Sequence, residues 1–168
     1  MPELETRLLE RLLSVLEEEV AFYREMSQIA QRKQEMIVEN QVEDLLEIVD
    51  EEMEKAEGLD GLEEERVEIF QQLMGDGSTL SDLIKYLGLS GEKLWEDRFS
   101  EIREELLELL FELQSQNERN KVLVEEALTL NQFTMNILRQ VRGKRAQKYD
   151  KRGQSLEDEQ SGLINRQV

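Results

Sequence analysis

The chain contains one proline in 168 residues, and that proline is at position 2. Because proline is the residue that most strongly interrupts a helix, every later segment is free to be helical. The remaining composition is rich in Glu, Leu, Lys, Arg and Gln, which all favour helices. The sequence therefore predicts an all-α protein.

Apolar residues at heptad spacing divide the chain into helices. The predicted helices cover about residues 3–39, 42–74, 79–87 and 91–141. Broad stripes in the first and last helices favour contact with more than one neighbour. One row of the last helix is Phe99, Leu106, Leu113, Asn120, Ala127, Thr134 and Val141. Gly58 and Gly61 interrupt the second helix and predict a kink or a frayed turn there.

Short polar segments lie between these helices. Asn40 and the following Gln predict a tight turn, and residues 75–78 predict a loop. Thr79 followed by Asp82 resembles a capping box that opens the short helix. We expect Ser90 to be the N-cap of the last helix.

Short connections make consecutive helices antiparallel neighbours. We therefore predict an elongated antiparallel helical bundle or coiled coil of three long helices plus one short helix, with a flexible C-terminal tail. The single helical domain would cover residues 1–141, and the tail, basic and then polar, would cover residues 142–168. The tail holds seven of the 21 basic residues and four of the 39 acidic residues, so the net charge of −18 divides into a body at −21 and a basic tail.

Histidine and cysteine are absent from the chain. Zinc sites built on these residues, Cys nucleophiles, His-based triads and di-iron sites with a Glu-x-x-His pair are therefore excluded. Acidic runs such as residues 17–19 and 63–65 fit solvated helix faces better than catalytic pairs, which need a pocket. Phosphate-binding glycine motifs are also absent. We predict no catalytic residue, no metal, no cofactor and no enzyme activity.

The acidic body disfavours nucleic acid and anionic membranes as main partners, because phosphates would be repelled. The chain also lacks a transmembrane-length apolar run and a signal-peptide core near its start, which predicts a cytoplasmic protein without stable membrane insertion. The basic residues of segment 142–152 allow two interpretations. They bind an acidic partner or RNA, or they complement the dipole of a frayed helix end, which is the interpretation that we favour.

The last helix is longer than the hairpin that precedes it. At 1.5 Å per residue the three long helices measure about 55, 50 and 75 Å, so about 15 residues near 125–141 should project beyond the hairpin. Apolar residues between positions 122 and 141 span an arc of about 240°, against about 100° for an ordinary one-sided helix. Exposed apolar surface of this kind usually marks an interaction site.

A row on this projecting end is suited to contact a partner helix, and it consists of Val124, Leu128, Asn131, Met135 and Leu138. With Phe133, which we also expect to contact the partner, these are the predicted partner-binding residues. Two alternatives remain open, which are homodimerisation through this surface and burial under the tail. For Asn117, Asn120 and Asn131, the interpretations are specification of helix register and polar contact with a partner.

Long segments of the chain are similar to the FlgN family. The run LLSVLEEEVAFYREMSQIAQRKQEMIVEN followed by QVEDLLEIVDEEME resembles the opening hairpin of that family. The segment TLSDLIKYL, a Gly/Ser break and WEDRFSEIREELLELLFELQSQNERNKVLVEEAL resemble its later half. The resemblance covers about residues 4–140, and segment 142–168 matches no motif of the family.

The resemblance implies a cytosolic chaperone of flagellar type III export. Such a protein binds C-terminal helical segments of the hook–filament junction proteins, also called hook-associated proteins, prevents their premature assembly and delivers them to the export gate. It also implies that the C-terminal half of the last helix binds the substrate. We expect a monomer or a weak homodimer. The competing hypotheses are a self-associating structural coiled-coil protein and, more weakly supported, an RNA-binding regulator acting through residues 142–152.

Overall fold

The computed structural model describes the backbone of residues 3–164 and the side chains of residues 3–147. Its helices are α1 (Glu3–Glu39), α2 (Val42–Met74), α3 (Leu80–Leu89) and α4 (Lys93–Ile164). Residues 3–164 contain no strand. The predicted all-α fold of three long helices and one short helix is therefore confirmed. The backbone forms two compact units, residues 1–123 and residues 124–168.

The connections between the helices follow the predicted chemistry in most places. Asn40 adopts a left-handed φ of 58°, which asparagine tolerates better than most residues, and Gln41 N donates to Met36 O at 2.9 Å. Thr79 Oγ1 accepts from Asp82 N at 3.3 Å, while Thr79 N donates to Asp82 Oδ2 at 3.0 Å. Thr79 Oγ1 also donates to Asp82 Oδ2 at 2.6 Å, and the hydrogen bonds that the carboxylate accepts from this hydroxyl and from Thr79 N hold the pKa of Asp82 below its ordinary value. The tight turn and the capping box are both confirmed.

One prediction about a helix end is wrong, and the frayed turn predicted inside α2 is not found, whereas a kink there stays a prediction. Ser90 is the C-cap of α3 and not the N-cap of α4, because its N–H donates to Tyr86 O at 2.9 Å and so continues the hydrogen-bond pattern of α3. Gly91, with a φ of 78°, then turns the chain. Helix α2 runs through residues 58–61 without a frayed turn. Packing and intrahelical hydrogen bonds on both sides outweigh the propensity cost of two glycines.

The last helix also differs from its prediction, because α4 does not end near residue 141 but continues to Ile164. Residues 142–164 contain no proline, and their many Lys, Arg, Gln and Glu residues favour a helix, which continues through Gly143 and Gly153. The flexibility predicted for the tail and the domain boundary at 141 stay predictions. Residues 165–168 lie outside the described residues.

Helix α1 pairs with both long neighbours in the first unit. Charged side chains join α1 to α2, and the position on α2 falls as the position on α1 rises, which makes the two helices antiparallel. These contacts are Arg11–Glu65 at 2.5 Å, Lys55–Glu25, Arg32–Glu51 at 2.8 Å and Lys33–Glu52 at 2.5 Å. Since such exposed pairs are individually weak, they fix alignment more than they stabilise the fold.

The first part of α4 runs parallel to α1. Ser27 Oγ donates to Gln116 Oε1 at 3.0 Å, and Asn120 Nδ2 donates to Ala30 O at 2.7 Å. Asn120 is buried, so its hydrogen bond to the α1 backbone supports the register interpretation for this residue. Asn117 and Asn131 are exposed.

The buried apolar residues of the first unit form two clusters. The larger cluster joins α1, the end of α2, α3 and the start of α4, and the smaller one lies nearer to the α1–α2 turn. The larger contains Leu9, Leu12, Leu13, Val15, Leu16, Val20, Ile69, Phe70, Leu83, Leu87, Phe99, Ile102 and Leu106, and the smaller contains Met26, Ile29, Ala30, Ile48 and Leu113. Helix α3 therefore closes one end of the larger cluster with Leu83 and Leu87.

One carboxylate is buried in this unit. The Glu19 side chain is 5% exposed, and Arg66 Nε lies 3.0 Å from Glu19 Oε1 in an ion pair whose N–H does not point at the oxygen. Burial raises the pKa of Glu19 above its ordinary value of 4.5, because the positive charge of Arg66 offsets only part of the desolvation and Glu63 adds repulsion. An acid whose pKa is higher in the folded state costs stability while it is ionised.

We expect Glu19→Gln to be more stable than the natural chain at pH 7, with a difference in unfolding free energy that shrinks as the pH falls through the raised pKa toward 4.5. Urea denaturation of both proteins at several pH values measures this difference. The exposed neighbour Glu18 provides the control, since Glu18→Gln removes the same charge from α1 without changing a buried carboxylate. A difference that grows on acidification contradicts the interpretation.

Candidate partner-binding site

The segment of α4 from residue 127 to 138 carries no charge. Its sequence, ALTLNQFTMNIL, lies between Glu126 and Arg139 in a chain of which 36% of the residues are charged. Elsewhere in the protein charged side chains keep the helix surfaces hydrated. This stretch covers more than three helical turns, and it is the longest run without a charged residue in the sequence.

This segment is also uncovered. Every residue from 124 to 147 is exposed except Ala127, which is partly buried. Leu128 is 54% exposed and Met135 is 50% exposed. Burial of this surface under the C-terminal tail stays a prediction, because the side chains of residues 148–168 lie outside the described residues. Exposed apolar surface of this extent is expected at an interaction site.

Five of the six predicted partner-binding residues share one face of α4. Their spacing is alternately four and three residues, so at 100° per residue they lie within an arc of about 80°. We call these five residues the seam: Val124, Leu128, Asn131, Met135 and Leu138. Such spacing is that of the a and d positions of a coiled coil, which contact a single partner helix.

Phe133 does not belong to the seam. It lies two residues from Met135 and therefore about 160° away around the helix. Together with Leu130, Ile137 and Val141 it forms a second exposed stripe, and Phe133 itself is 62% exposed. A single helix placed on the seam does not reach Phe133, so a partner that contacts all six residues needs a second element.

The two edges of the seam differ in charge. In heptad notation the e positions along one edge are Glu125, Gln132 and Arg139, and the g positions along the other edge are Ala127, Thr134 and Val141. One edge therefore runs from negative to neutral to positive over 14 residues, or about 21 Å. Because residues at e and g set partner choice and orientation, this edge is able to discriminate between partners.

The hydroxyl groups in the segment bond to their own helix. Thr129 Oγ1 donates to Glu125 O and Thr134 Oγ1 donates to Leu130 O, each at 2.9 Å. Because each hydroxyl already has a hydrogen bond within its own helix, neither is left unpaired when a partner covers the surface. Burial of these two hydroxyl groups therefore costs little free energy.

The first unit contains a cavity of its own. A groove of about 360 Å³ lies in the first unit, lined by Arg66, Val67, Phe70 and the loop after α2. Within residues 3–147 no three carboxylates, histidines or cysteines come together as metal ligands. None of the helical stretches that the structure describes is long and apolar enough to cross a membrane.

The sequence patterns do not predict that several apolar residues of the first unit are exposed. Phe111 on α4 is 74% exposed, and Leu107 lies beside it. On α2 the residues Leu46 and Met53 are also exposed, although they belong to a heptad row. A row predicts that residues share a face, but it does not tell whether that face meets a neighbour or solvent.

A comparison with models of known protein families shows to which family the chain belongs. A family model described as the FlgN protein matches residues 1–157. The chain belongs to the FlgN family. This membership confirms the resemblance, and the matched residues also include the basic run 142–152. No curated protein and no solved structure matches the chain.

Membership in the FlgN family identifies the chain as a flagellar export chaperone. A chaperone of this family binds other flagellar proteins, and its surface must therefore include a site for them. Among the described residues, the seam and the second stripe of α4 form the longest uncharged apolar surface.

Proposed function

We propose that this FlgN-family protein binds the C-terminal helical segments of hook–filament junction proteins in the cytoplasm, keeps them from assembling early and delivers them to the type III export gate. The observation that carries the proposal is the uncharged, exposed segment 127–138 in a flagellar export chaperone. Residues of the seam make the main contact, and Phe133 contacts a second substrate element if the substrate supplies one.

Helix-on-helix packing explains how the seam holds its substrate. An amphipathic substrate helix places its apolar face on Leu128, Met135 and Leu138, and full burial of each such side chain contributes about 1.5–3 kcal/mol. Met135 adapts its shape to different neighbours, since its side chain is unbranched. Asn131 lies in the middle of the seam. It favours the alignment of the substrate helix in which a polar group of the substrate lies beside it.

Protection of the substrate follows from the same contact. A junction-protein segment that exposes an apolar helix face self-associates when it is free, and the seam covers that face. The seam is a convex helix surface without a cavity, so the substrate leaves it without opening a lid. This geometry suits release at the export gate.

A self-associating structural coiled-coil protein is the second candidate. The alternating four- and three-residue spacing of the seam supports it, because the same pattern suits a second copy of the chain. Membership in a chaperone family favours the first candidate.

Mixing the full-length protein with a C-terminal segment of a junction protein tests the proposal. We expect a stoichiometric complex, seen as one species of the summed mass by size-exclusion chromatography with light scattering. Absence of a complex, together with a dimer whose mass does not change with dilution, supports the structural candidate instead.

A further inference from the structure

Helix α2 carries a row of apolar side chains that face solvent. Their spacing places them within an arc of about 60° at 100° per residue, so they share one face of the helix. We call them the α2 row: Val42, Leu46, Met53 and Val67, each more than half exposed. Asp60 occupies the heptad position between Met53 and Val67. An exposed row of this kind is a surface on which another helix packs.

A line of carboxylates borders the α2 row along one edge. The carboxylates follow each other at alternating intervals of four and three residues, with Gly61 at one position, so they lie on the same side of α2 over about 37 Å. We call them the acidic line: Glu43, Glu47, Asp50, Glu54, Glu57, Glu64 and Glu68, all exposed. Within residues 3–147 none of these seven side chains makes an ion pair or a side-chain hydrogen bond. The acidic line is therefore open to cations of another molecule.

The cations of α2 lie on the side that faces α1. The helix contains thirteen acidic residues and two basic residues. Both basic residues pair with carboxylates of α1, Lys55 with Glu25 and Arg66 with Glu19. Carboxylates three or four residues apart on a helix repel each other, so the acidic line destabilises α2 slightly while it is free. Cations from a partner remove this repulsion, which favours a basic partner over a neutral one.

We propose that the α2 row and the acidic line together bind an amphipathic helix of a separate partner protein, in which Lys and Arg residues border the apolar stripe. The apolar stripe of that helix packs on Leu46 and Met53, and its cations face the acidic line. A further cation within the stripe faces Asp60. A helix of about 27 residues covers the surface from Val42 to Glu68. This interaction is independent of the proposed function, because the proposed substrate site lies on α4.

The groove at the end of α2 gives such a helix an anchoring point. Its volume is about 360 Å³, and its lining includes Val67, Phe70 and Leu80. Val67 is the last member of the α2 row, so a helix that lies on the row reaches the groove with one of its ends. A large apolar side chain of the partner fills the groove there, and buried anchors of this kind supply much of the binding energy of protein interfaces.

The basic run of the chain itself matches this surface poorly. Residues 142–152 supply six cations, but their apolar side chains are only Ala146 and Tyr149. As a helix these eleven residues span about 16 Å, less than half the length of the acidic line. The run fits the charge of the surface but not the α2 row, which favours a separate partner over a second copy of the chain.

A synthetic peptide of four heptads tests this assignment on the full-length protein. The peptide has Leu at positions a and d and Lys at e and g, and a scrambled peptide of equal composition is its control. We expect one-to-one binding of the heptad peptide that weakens as salt is added, and at least about tenfold weaker binding of the scrambled peptide. Fluorescence anisotropy of the labelled peptides measures both affinities. Equal binding of the two peptides, or no binding of the heptad peptide, overturns the proposed surface.

Charge reversal on the acidic line locates the binding. Glu54→Lys with Glu57→Lys replaces two attractions by repulsions, so this variant should bind the heptad peptide about tenfold more weakly at physiological salt. Glu101→Lys with Glu104→Lys makes the same change at the same spacing on α4, where both residues are exposed. This control should bind the peptide as the natural chain does. Equal weakening in both variants shows general charge attraction and overturns the proposed surface.

Serine substitutions test the apolar contact. Leu46→Ser with Met53→Ser should bind the heptad peptide about tenfold more weakly, because it removes the side chains on which the apolar stripe packs. Leu4→Ser with Leu94→Ser is the matched control, since Leu4 is 70% exposed, Leu94 is 72% exposed, and neither lies on α2. All of these variants should keep the helix content of the natural chain, because the substituted positions are exposed. Unchanged affinity after substitution of Leu46 and Met53 overturns the apolar contact.

Two further measurements separate this surface from the seam and from a second copy. Leu128→Glu with Met135→Glu changes the seam and should leave peptide binding unchanged. Loss of peptide binding in this seam variant places the peptide on α4 and overturns the proposed surface. A dimer of the natural chain that Glu54→Lys with Glu57→Lys abolishes assigns the surface to a second copy and overturns the separate partner. Failure of the peptide to bind leaves the proposed substrate binding untouched, because the junction-protein segment measures that binding.

Discussion

The Leu128→Glu, Met135→Glu variant should bind a junction-protein segment at least about 100-fold more weakly than the natural chain. Each substitution replaces an exposed apolar side chain at the centre of the seam by a carboxylate. Complex formation would then bury two charges that have no partner, and such burial costs several kcal/mol. Isothermal titration calorimetry with the full-length protein measures the change in affinity.

The same segment offers a matched control for this variant. Thr129→Glu with Asn136→Glu adds two carboxylates at the same spacing of seven residues, but about 100° away from the seam on the polar side of α4. Both double variants should retain the helix content and the unfolding free energy of the natural chain, since all four positions are exposed. Equal loss of affinity in both, or unchanged affinity in the seam variant, contradicts the proposed site.

Phe99→Ala should lower the free energy of unfolding by about 3–5 kcal/mol. The Phe99 ring is fully buried, and it stacks on Trp95 with 6.0 Å between the ring centroids. Phe99 belongs to the cluster that joins α1, the end of α2, α3 and the start of α4, so its removal leaves a cavity in that cluster. Urea denaturation followed by circular dichroism measures the effect.

Phe111→Ala is the control for the core prediction. This substitution removes the same ring from the same helix, but Phe111 is 74% exposed and its loss should change the unfolding free energy by less than about 0.5 kcal/mol. Similar effects of the two substitutions contradict the described packing. We also expect folded Phe99→Ala protein to bind substrate with unchanged affinity, because Phe99 lies in the first unit.

Sequence patterns predict the helices of this protein well because the signals are local. A single proline, the capping box at Thr79 and an asparagine at the turn place most helix boundaries within two residues of their observed positions. The boundary that differs most is the end of α4, which lies at Ile164 and not near residue 141. The cap formed by Ser90 was also predicted wrongly, because two local signals compete there. Ser90 is able to cap either helix, and the hydrogen bond of its N–H to Tyr86 O decides for α3.

The candidate site is only partly predictable from the sequence. The uncharged segment and the heptad spacing are visible in the residues themselves. Phe133 lies outside the seam, about 160° around the helix from Met135, so its predicted contact with the partner needs a second partner element and stays a prediction. The exposure of Phe111 and Met53 depends on which faces of α2 and α4 meet a neighbour, and this follows from tertiary packing.

Hydrogen exchange on the full-length protein, with and without a junction-protein segment, tests directly whether residues 124–141 bind the substrate. Residues 124–141 are exposed on all sides apart from Ala127, so their amides should exchange fast in the free protein at low concentration. We expect strong slowing of amide exchange across residues 124–141 when the segment is added. Slowing confined to residues 3–123, with residues 124–141 unchanged, contradicts it.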